Sequence, residues 1–345
     1  MEFFGEKLVI KLWETLAEKG VGSLLTPWQI GREGKARNNL RREELLMLAQ
    51  AEVDTADIRA GRKSLERNGS LRLLTTKLPA DGTSEPYTLG RIEPTISTQS
   101  LAEVSVKNSA TSEARREINA SKAIIYAEEV LSNDPQTPPE RSIDDDWLFT
   151  WRDYAGGVST EDLQQLWGKV LAGEVKSPGS YSLRTLEFLR GLSKDEAEHI
   201  SSLASFVIEG RIVRSLKPFL DEHGVTFNLL LAMQELGLLS GVEAVGLKTQ
   251  YKSSASERFV RALRSNGKVL VVENDDPSKV LTLDVYLLTG IGSQLLGLGS
   301  FPANIDYLRL AGKEIIKQGF AVQLADWVQT TENEGNYFNP EKLNA

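Results

Sequence analysis

The sequence predicts a mainly α fold with a long helical hairpin, a central helical domain and a small, winged-helix-like C-terminal α+β domain. Three observations lead to this fold class. Apolar residues recur at helical spacing through most of residues 3–207, the charged stretch 33–67 contains no proline, and strand-like runs occur only after Gly224. Helical spacing is typical of amphipathic helices, and short apolar runs between turn residues are typical of strands.

Residues 1–31 are predicted to form an N-terminal amphipathic helix and a hinge. One face of the helix over residues 3–19 carries Phe4, Leu8, Val9, Leu12, Trp13 and Leu16, and Gly20 can end it. We expect this face to dock on another helix or on a second subunit. The alternative is peripheral contact of residues 3–16 with a membrane surface.

Residues 32–131 are predicted to form the helical hairpin. The first helix, over residues 33–67, has a narrow apolar row made of Ala36, Leu40, Met47, Ala51, Ile58 and Leu65. Such a narrow row is typical of a coiled coil, and it needs a partner to be stable in water. We therefore expect a homo-oligomer with Leu40, Met47, Ala51, Ile58 and Leu65 in the contact, weakened by Leu40→Glu combined with Met47→Glu.

The second half of the predicted hairpin follows a flexible insertion. Residues 68–109 lose the helical pattern and are rich in glycine, proline, serine and threonine, a composition that disfavours ordered structure. Helical spacing returns over residues 112–131, where Ala120, Ala123, Ile124, Ala127 and Leu131 share one side. The two helices can pair with each other, or each can pair with a neighbouring subunit.

A linker with three prolines, residues 132–142, precedes the central helical domain at residues 143–223. Helix starts are indicated by Asp144 or Asp145, by Ser159 with Asp162, by Ser182, and by Ser193 with Glu196. Trp147, Trp151 and Trp167 lie at helical spacing within apolar faces and are expected in the core. These capping signals make this the best-defined part of the prediction.

The C-terminal α+β domain is predicted over residues 224–330, with a tail at 331–345. A helix ending at Gly237 precedes two strands, KVLVVEND (268–275) and LTLDVYLL (281–288). Thr289 can cap the next helix, another helix covers roughly residues 304–318, and a strand covers 320–328. This order is compatible with a winged-helix-like unit, and equally with other small α+β domains.

No catalytic residue, metal site or cofactor site is predicted. The chain has 345 residues, no cysteine and two histidines, which excludes thiolate zinc sites and cysteine nucleophiles. Glu174 and Lys176 have a spacing that some metal-dependent nucleases use. However, Glu174 ends a capped helix immediately before Pro178 and Gly179. We interpret this stretch as structural and expect Glu174→Gln to be nearly silent.

A basic cluster at the start of the long helix is the candidate polyanion contact. It consists of Arg32, Lys35, Arg37, Arg41 and Arg42. Arginine and lysine can bind phosphates of nucleic acid or lipid. Neighbouring glutamates dilute the cluster, and the net charge of the chain is -8. We therefore favour a solvated face over a nucleic-acid contact.

Several stretches together resemble a known family. They are ARREINASKAIIYAEEVL (114–131), the run from DDDWLFTW to LSKDEA (144–197), and YLLTGIGSQLLGL (286–298); GVGSLLTPWQIG (20–31) also fits. The chain is similar to uncharacterised bacterial proteins related in pattern to the abortive-infection alpha-type proteins. The resemblance implies a bacterial cytoplasmic protein involved in defence against phage, and it carries over no active-site residue.

The expected function is that of a non-enzymatic protein that self-associates and binds a protein partner in phage defence or stress response. The alternative is a nucleic-acid-binding regulator that uses the winged-helix-like domain. An unrecognised hydrolase is less favoured, because no nucleophile, base and metal ligands converge in the sequence. No apolar run reaches membrane-spanning length and no signal-peptide pattern opens the chain, so a cytoplasmic location is expected.

Overall fold

The chain forms two compact units in the computed structural model, residues 1–181 and residues 182–345. The structure describes residues 5–21, 47, 50, 51, 53–60, 62–65, 71–73, 98–244, 247–329 and 335–344. The division between the units falls within the segment 143–223 that the sequence groups as one helical domain.

The first unit is built mainly from helices. They are α1 (Glu6–Glu18), α2 (Thr98–Ser132), α3 (Asp145–Gly157) and α4 (Glu161–Lys176), and a short antiparallel hairpin pairs β1 (Lys63–Leu65) with β2 (Leu71–Leu73). Helix α2 packs against α3 and α4, and α1 packs against α2 and α4. The core of this unit therefore lies along α2.

Helix α1 docks on helices of its own unit. Leu8 and Leu12 are fully buried, and Leu16 is 1% exposed. Gly5, with φ of 83°, precedes the helix where a Cβ atom would lie 2.1 Å from the Leu131 carbonyl oxygen. Only glycine fits such a close approach in the left-handed region. Most of the predicted apolar face of α1 is thus buried within the chain, whereas Phe4 lies outside the described residues. Peripheral membrane contact of residues 3–16 stays a prediction.

The capping signals of the sequence identify most helix starts correctly. The Asp144 carboxylate accepts a hydrogen bond from the Trp147 backbone N–H at 3.0 Å, and Ser193 and Glu196 form the expected capping box. Helix α4 begins after Thr160 rather than after Ser159. Trp147, Trp151 and Trp167 are core residues as expected, since all three are buried. Trp151 Nε1–H donates to the Trp167 carbonyl at 2.9 Å.

The predicted hairpin of two long helices is wrong in two respects. Residues 53–59 are helical, but 63–65 form a strand paired with 71–73, so the first helix does not continue to residue 67. Helix α2 begins at Thr98, so residues 98–109 of the predicted flexible insertion are helical. Serine, threonine and asparagine in this stretch hide its helical character, because they favour turns in isolation.

The second unit mixes helices with two antiparallel sheets. Its elements are α5 (Leu183–Gly191), α6 (Lys194–Ala204), β3 (Arg211–Val213), a 3-10 turn (Arg214–Leu216), α7 (Lys217–Glu222), α8 (Phe227–Glu235), β4 (Leu239–Ser240), β5 (Lys248–Tyr251), β6 (Phe259–Ser265), β7 (Lys268–Asn274), β8 (Leu281–Leu288), α9 (Gly290–Leu296), α10 (Ile305–Ile316), β9 (Ala321–Gln329) and β10 (Gly335–Lys342).

Each sheet contains four strands. The sheet with the longer strands, which we call the larger sheet, has the order β10-β9-β7-β6. In the other, which we call the smaller sheet, β8 pairs with β3, β4 and β5. Leu270 and Val272 of β7 are fully buried. Helix α10 covers this side of the larger sheet, because a Cβ atom on Gly312 would lie 3.5 Å from Val322 Cγ1 and 3.8 Å from Leu270 Cδ2.

The predicted fold class is therefore wrong. Of the residues that the structure describes, 52% are helical and 19% are in strands, with both four-stranded sheets in the C-terminal half. The two expected strands form as β7 and β8, but they belong to different sheets. The predicted tail at 331–345 contains β10, which pairs with β9. The nucleic-acid-binding alternative is not tested by this correction of the fold class and stays a prediction.

Candidate interaction surface

Helix α2 has a buried half and an exposed half. From residue 117 to 125 every residue is buried except Lys122, which is half-buried. From 104 to 116 every residue is exposed except Thr111, which is half-buried. We call residues 104–116 the arm, and its rise of 1.5 Å per residue makes it about 20 Å long.

Small residues hold the buried half close to α4. Ala123, Ile124 and Ala127 are fully buried. A Cβ atom on Gly168 of α4 would lie 2.8 Å from the Ala123 carbonyl oxygen and 2.7 Å from Tyr126 Cβ. The two backbones therefore approach so closely that glycine is required at this position.

Polar contacts fix the buried half at the point where the arm begins. Asn119 Nδ2 donates to the Gly156 carbonyl at 3.0 Å, and Gln164 Nε2 donates to Asn119 Oδ1 at 3.3 Å. The Arg152 guanidinium lies 2.8 Å from the Glu117 carboxylate. Both buried amides and the buried Glu117 carboxylate thus have partners, as buried polar groups require. The arm consequently leaves the unit from a rigid base.

The arm presents a row of small apolar residues to solvent. Val106 is 71% exposed, and Ala110 and Ala114 follow at intervals of four residues and are also exposed. Side chains four residues apart share one face of a helix, and such rows interdigitate when two helices cross. Lys107 lies three residues before Ala110, and Glu113 lies three residues after it. The sequence contained this signal, but the insertion predicted at 68–109 concealed it.

The predicted oligomer contact is not brought together on one helix. Met47 is helical and 51% exposed, Ala51 and Ile58 are half-buried helical residues, and Leu65 lies in β1. Leu40 lies outside the described residues. Association through this row therefore stays a prediction, and the structure supplies a different exposed row on α2.

The predicted polyanion contact lies outside the described part of the chain. This applies to all five of its residues, Arg32, Lys35, Arg37, Arg41 and Arg42.

Glu174 closes the turn at Pro178 and Gly179. Its carboxylate is 2% exposed and accepts hydrogen bonds from the backbone N–H of Gly179 at 2.5 Å and of Tyr181 at 3.0 Å. Burial raises the pKa of Glu174 above its ordinary value, and the two N–H groups oppose this shift. Burial, and secondarily the Glu174 charge, raises the pKa of Tyr181 to about 12. The carboxylate thus has a structural role in the turn.

An open cleft of about 680 Å³ lies in the second unit. It is lined by Ser182, Leu183, Arg184, Gly237, Thr289, Gly290, Ile291 and Gln294. Its amide and hydroxyl groups bond one another, since Gln294 Oε1 accepts from the Ser182 N–H at 3.1 Å and Thr289 Oγ1 donates to the Gly237 carbonyl at 2.6 Å. Gln294 Oε1 and the Thr289 hydroxyl are thus already engaged within the unit.

Within the ranges that the structure describes, no three histidine, aspartate or glutamate side chains are grouped as metal ligands. Nor is any helix there long and apolar enough to cross a membrane.

Comparison with known proteins places the chain in a family. A family described as "Protein of unknown function (DUF2806)" matches residues 108–311, which is more than half of the chain, and the protein belongs to this family. The matched region begins within the arm and ends in α10. No curated protein and no solved structure matches. The family supports the expected resemblance to uncharacterised proteins, and nothing in it bears on the abortive-infection relationship.

Proposed function

We propose that this DUF2806 protein is a non-enzymatic, self-associating interaction protein whose arm pairs antiparallel with the arm of a second copy. The observation that carries the proposal is the exposure of α2 from residue 104 to 116. In proteins most helical stability comes from the packing of an apolar face, and the arm is exposed along residues 104–116. A partner helix would supply that packing.

The chemistry of the arm supports a second copy as the partner. In an antiparallel pair centred on Ala110, position 106 of one copy faces 114 of the other, and 107 faces 113. Val106 then packs against Ala114, and Lys107 meets Glu113. The small side chains at 106, 110 and 114 allow two helix axes to approach at the short end of the usual 8–10 Å range. The two-fold symmetry makes each favourable contact occur twice.

The direct test is sedimentation of the full chain with Val106→Glu combined with Ala110→Glu. Two carboxylates per copy would be placed in the contact, and at micromolar concentration we expect the dimer to dissociate. The matched control is Asn108→Glu combined with Ser112→Glu, which adds the same charge on the opposite side of the arm, about 160° away from Ala110. A monomeric wild-type protein, or equal weakening by both double variants, would refute the proposal.

A charge exchange tests the antiparallel register. Lys107→Glu should weaken the dimer, because it would face Glu113 of the other copy, and Glu113→Lys should weaken it similarly. Lys107→Glu combined with Glu113→Lys, the double exchange, should restore association to the wild-type level. An exposed pair contributes roughly 0.2–1 kcal/mol, so each dissociation constant should change severalfold. Failure of the double exchange to restore binding would contradict this register.

Phage defence in the bacterial cytoplasm is the proposed setting, and its support is the resemblance of residues 114–131 and 144–197 to the abortive-infection alpha-type pattern. We expect bacteria that express the protein to plate phage less efficiently than cells without it. The Val106→Glu, Ala110→Glu variant should lose this protection, whereas Asn108→Glu, Ser112→Glu should keep it. Equal plating with and without the wild-type protein, across a broad phage panel, would argue against the setting.

A further inference from the structure

Two arginines of the second unit flank one buried tyrosine. Tyr251, at the end of β5, is 6% exposed. The Arg211 guanidinium carbon lies 5.3 Å from the centre of its ring, and the Arg261 guanidinium carbon lies 5.5 Å from the same centre. Both distances are within the range of cation–π contacts. We call Arg211, Tyr251 and Arg261 the basic cluster.

The smaller sheet orients Arg211. Arg211 pairs with Leu287 of β8, and Thr249 pairs with Leu283. Because Leu287 and Leu283 are four residues apart on one strand, Arg211 and Thr249 share a face. Arg211 Nε donates to Thr249 Oγ1 at 3.1 Å, and its Nη1 donates to the Glu209 carbonyl. These bonds fix the guanidinium beside the ring.

The larger sheet places Arg261 on its buried side. Arg261 lies on the same face of β6 as Phe259 and Leu263, which are both fully buried. Its Nε atom is buried and has no hydrogen-bond acceptor in the part of the chain that the structure describes. A buried donor without an acceptor is costly. Because Nε is buried and Arg261 as a whole is half-buried, the terminal Nη groups are the donors that an external acceptor can reach.

The basic cluster also lacks counter-ions. Among the described residues, no carboxylate oxygen lies within 4.0 Å of the Arg211 or Arg261 side-chain nitrogens. Glu209 is engaged elsewhere, since it accepts from Arg264 Nε at 2.7 Å and from the Arg264 backbone N–H at 3.0 Å. Nearby on β6 and β7, Arg264 and Lys268 are each paired with an acid. Among the described residues, neither Arg211 nor Arg261 has such a partner.

We propose that the basic cluster binds a phosphate group of a small ligand. Guanidinium groups present paired N–H donors that match phosphate oxygens. Two unpaired guanidinium charges match a phosphate dianion better than a single carboxylate. The site is partly buried and the chain carries a net charge of -8, so a compact ligand fits better than a nucleic-acid backbone, which would be repelled by the wider surface.

Calorimetric titration of the full chain with inorganic phosphate and pyrophosphate, at constant ionic strength, tests this site. We expect binding by the wild type, and at least a tenfold higher Kd for pyrophosphate in Arg261→Gln and in Arg211→Gln. The control is Arg258→Gln, which removes a nearby arginine that is paired with Glu273 at 3.2 Å; its Kd should stay within twofold of wild type.

A second variant keeps the test valid if Arg261→Gln fails to fold. Arg211→Lys retains the charge but loses the paired donors, and it should also raise the Kd severalfold. Absence of binding by the wild type at millimolar pyrophosphate, or equal weakening by Arg258→Gln, would overturn the proposal. A single-stranded oligonucleotide that binds more tightly than pyrophosphate, with a steep salt dependence, would overturn the assignment to a small ligand.

Discussion

The two halves of helix α2 belong to one continuous helix, yet they are stabilised in opposite ways. Residues 117–125 are almost entirely buried, and Ala123, Tyr126 and Ala127 lie against α4 at a backbone approach that only Gly168 allows. Residues 104–116 are exposed nearly all round. The buried half is held by packing within its unit, and the arm has no comparable contacts among the described residues.

This difference shows that a helix can extend beyond the core that nucleates it. Once the buried half is folded, each further residue of the arm adds a backbone hydrogen bond without the cost of a new nucleus. The arm therefore forms as an extension of the rigid part of α2. Its exposed apolar row is a feature that the core does not need, and this is why we assign it to association.

The largest expected effect comes from breaking the close approach at Gly168. In Gly168→Val, the new Cβ atom would lie 2.7 Å from Tyr126 Cβ and 3.0 Å from the Ala127 backbone nitrogen. Overpacking usually costs about 1–3 kcal/mol, and more when backbone must move; we expect ~4 kcal/mol of lost unfolding free energy. Urea unfolding followed by tryptophan fluorescence measures this loss.

Gly157 provides the matched control for Gly168. It lies at the end of α3, and a Cβ atom there would have no neighbour within 4 Å. Gly157→Ala should be neutral or stabilise by up to about 1 kcal/mol, because it reduces the freedom of the unfolded chain. Similar destabilisation by both substitutions would mean that the α2–α4 approach is not the critical contact.

The next effect compares equivalent truncations in the two halves. Ile124 is fully buried, and Ile124→Ala should cost about 3 kcal/mol through lost burial and the remaining cavity. Val106 is 71% exposed, so Val106→Ala should change the stability of the monomer by less than about 0.5 kcal/mol. Both are measured by urea unfolding at a protein concentration low enough for the monomer. A large loss for Val106→Ala in the monomer would show that the arm packs within its own chain.

The sequence predicted what is determined locally and missed what depends on distant pairing. Asp144, Ser182, Ser193, Thr289 and Asn304 cap the helices of the structure because each cap needs only the next three residues. By contrast, β7 pairs with β9 more than fifty residues later, and β8 pairs with β3 about seventy residues earlier. The partner of such a strand cannot be recognised from the sequence of either strand alone.

The candidate sites were harder to predict than the helices. The arm lies in a stretch of serine, threonine and asparagine, whose side chains compete for backbone hydrogen bonds and favour turns. The basic cluster combines Arg211, Tyr251 and Arg261 from three strands. Their spacing of 40 and 10 residues has no meaning until the two sheets are formed. A sequence pattern can indicate a row on one helix, but not a cluster assembled from different sheets.

The smallest expected effect concerns the far end of α4, the helix on which the buried half of α2 rests. The sequence favoured a nearly silent Glu174→Gln, but the structure changes this expectation, because the carboxylate accepts from both Gly179 and Tyr181. A carboxyl group presents two oxygens to these donors in either protonation state, whereas glutamine presents one oxygen and an NH2 group, so one of these bonds is lost. We expect a loss of about 1 kcal/mol near pH 4, measured by urea unfolding.

The pH dependence of this loss shows which protonation state of Glu174 the folded protein stabilises. Burial raises the pKa of Glu174 above the ordinary 4.5, so the folded protein binds this proton more tightly than the unfolded chain. The stabilisation from Glu174 is fully present below pH 4.5 and is lost as the pH rises through the folded-state pKa. The difference in unfolding free energy between the wild type and Glu174→Gln should therefore shrink as the pH rises from about 4 towards 8. The other titrating groups are the same in both proteins, so they do not contribute to this difference. An advantage that grows with pH would show that the ionised carboxylate is the form that the turn stabilises.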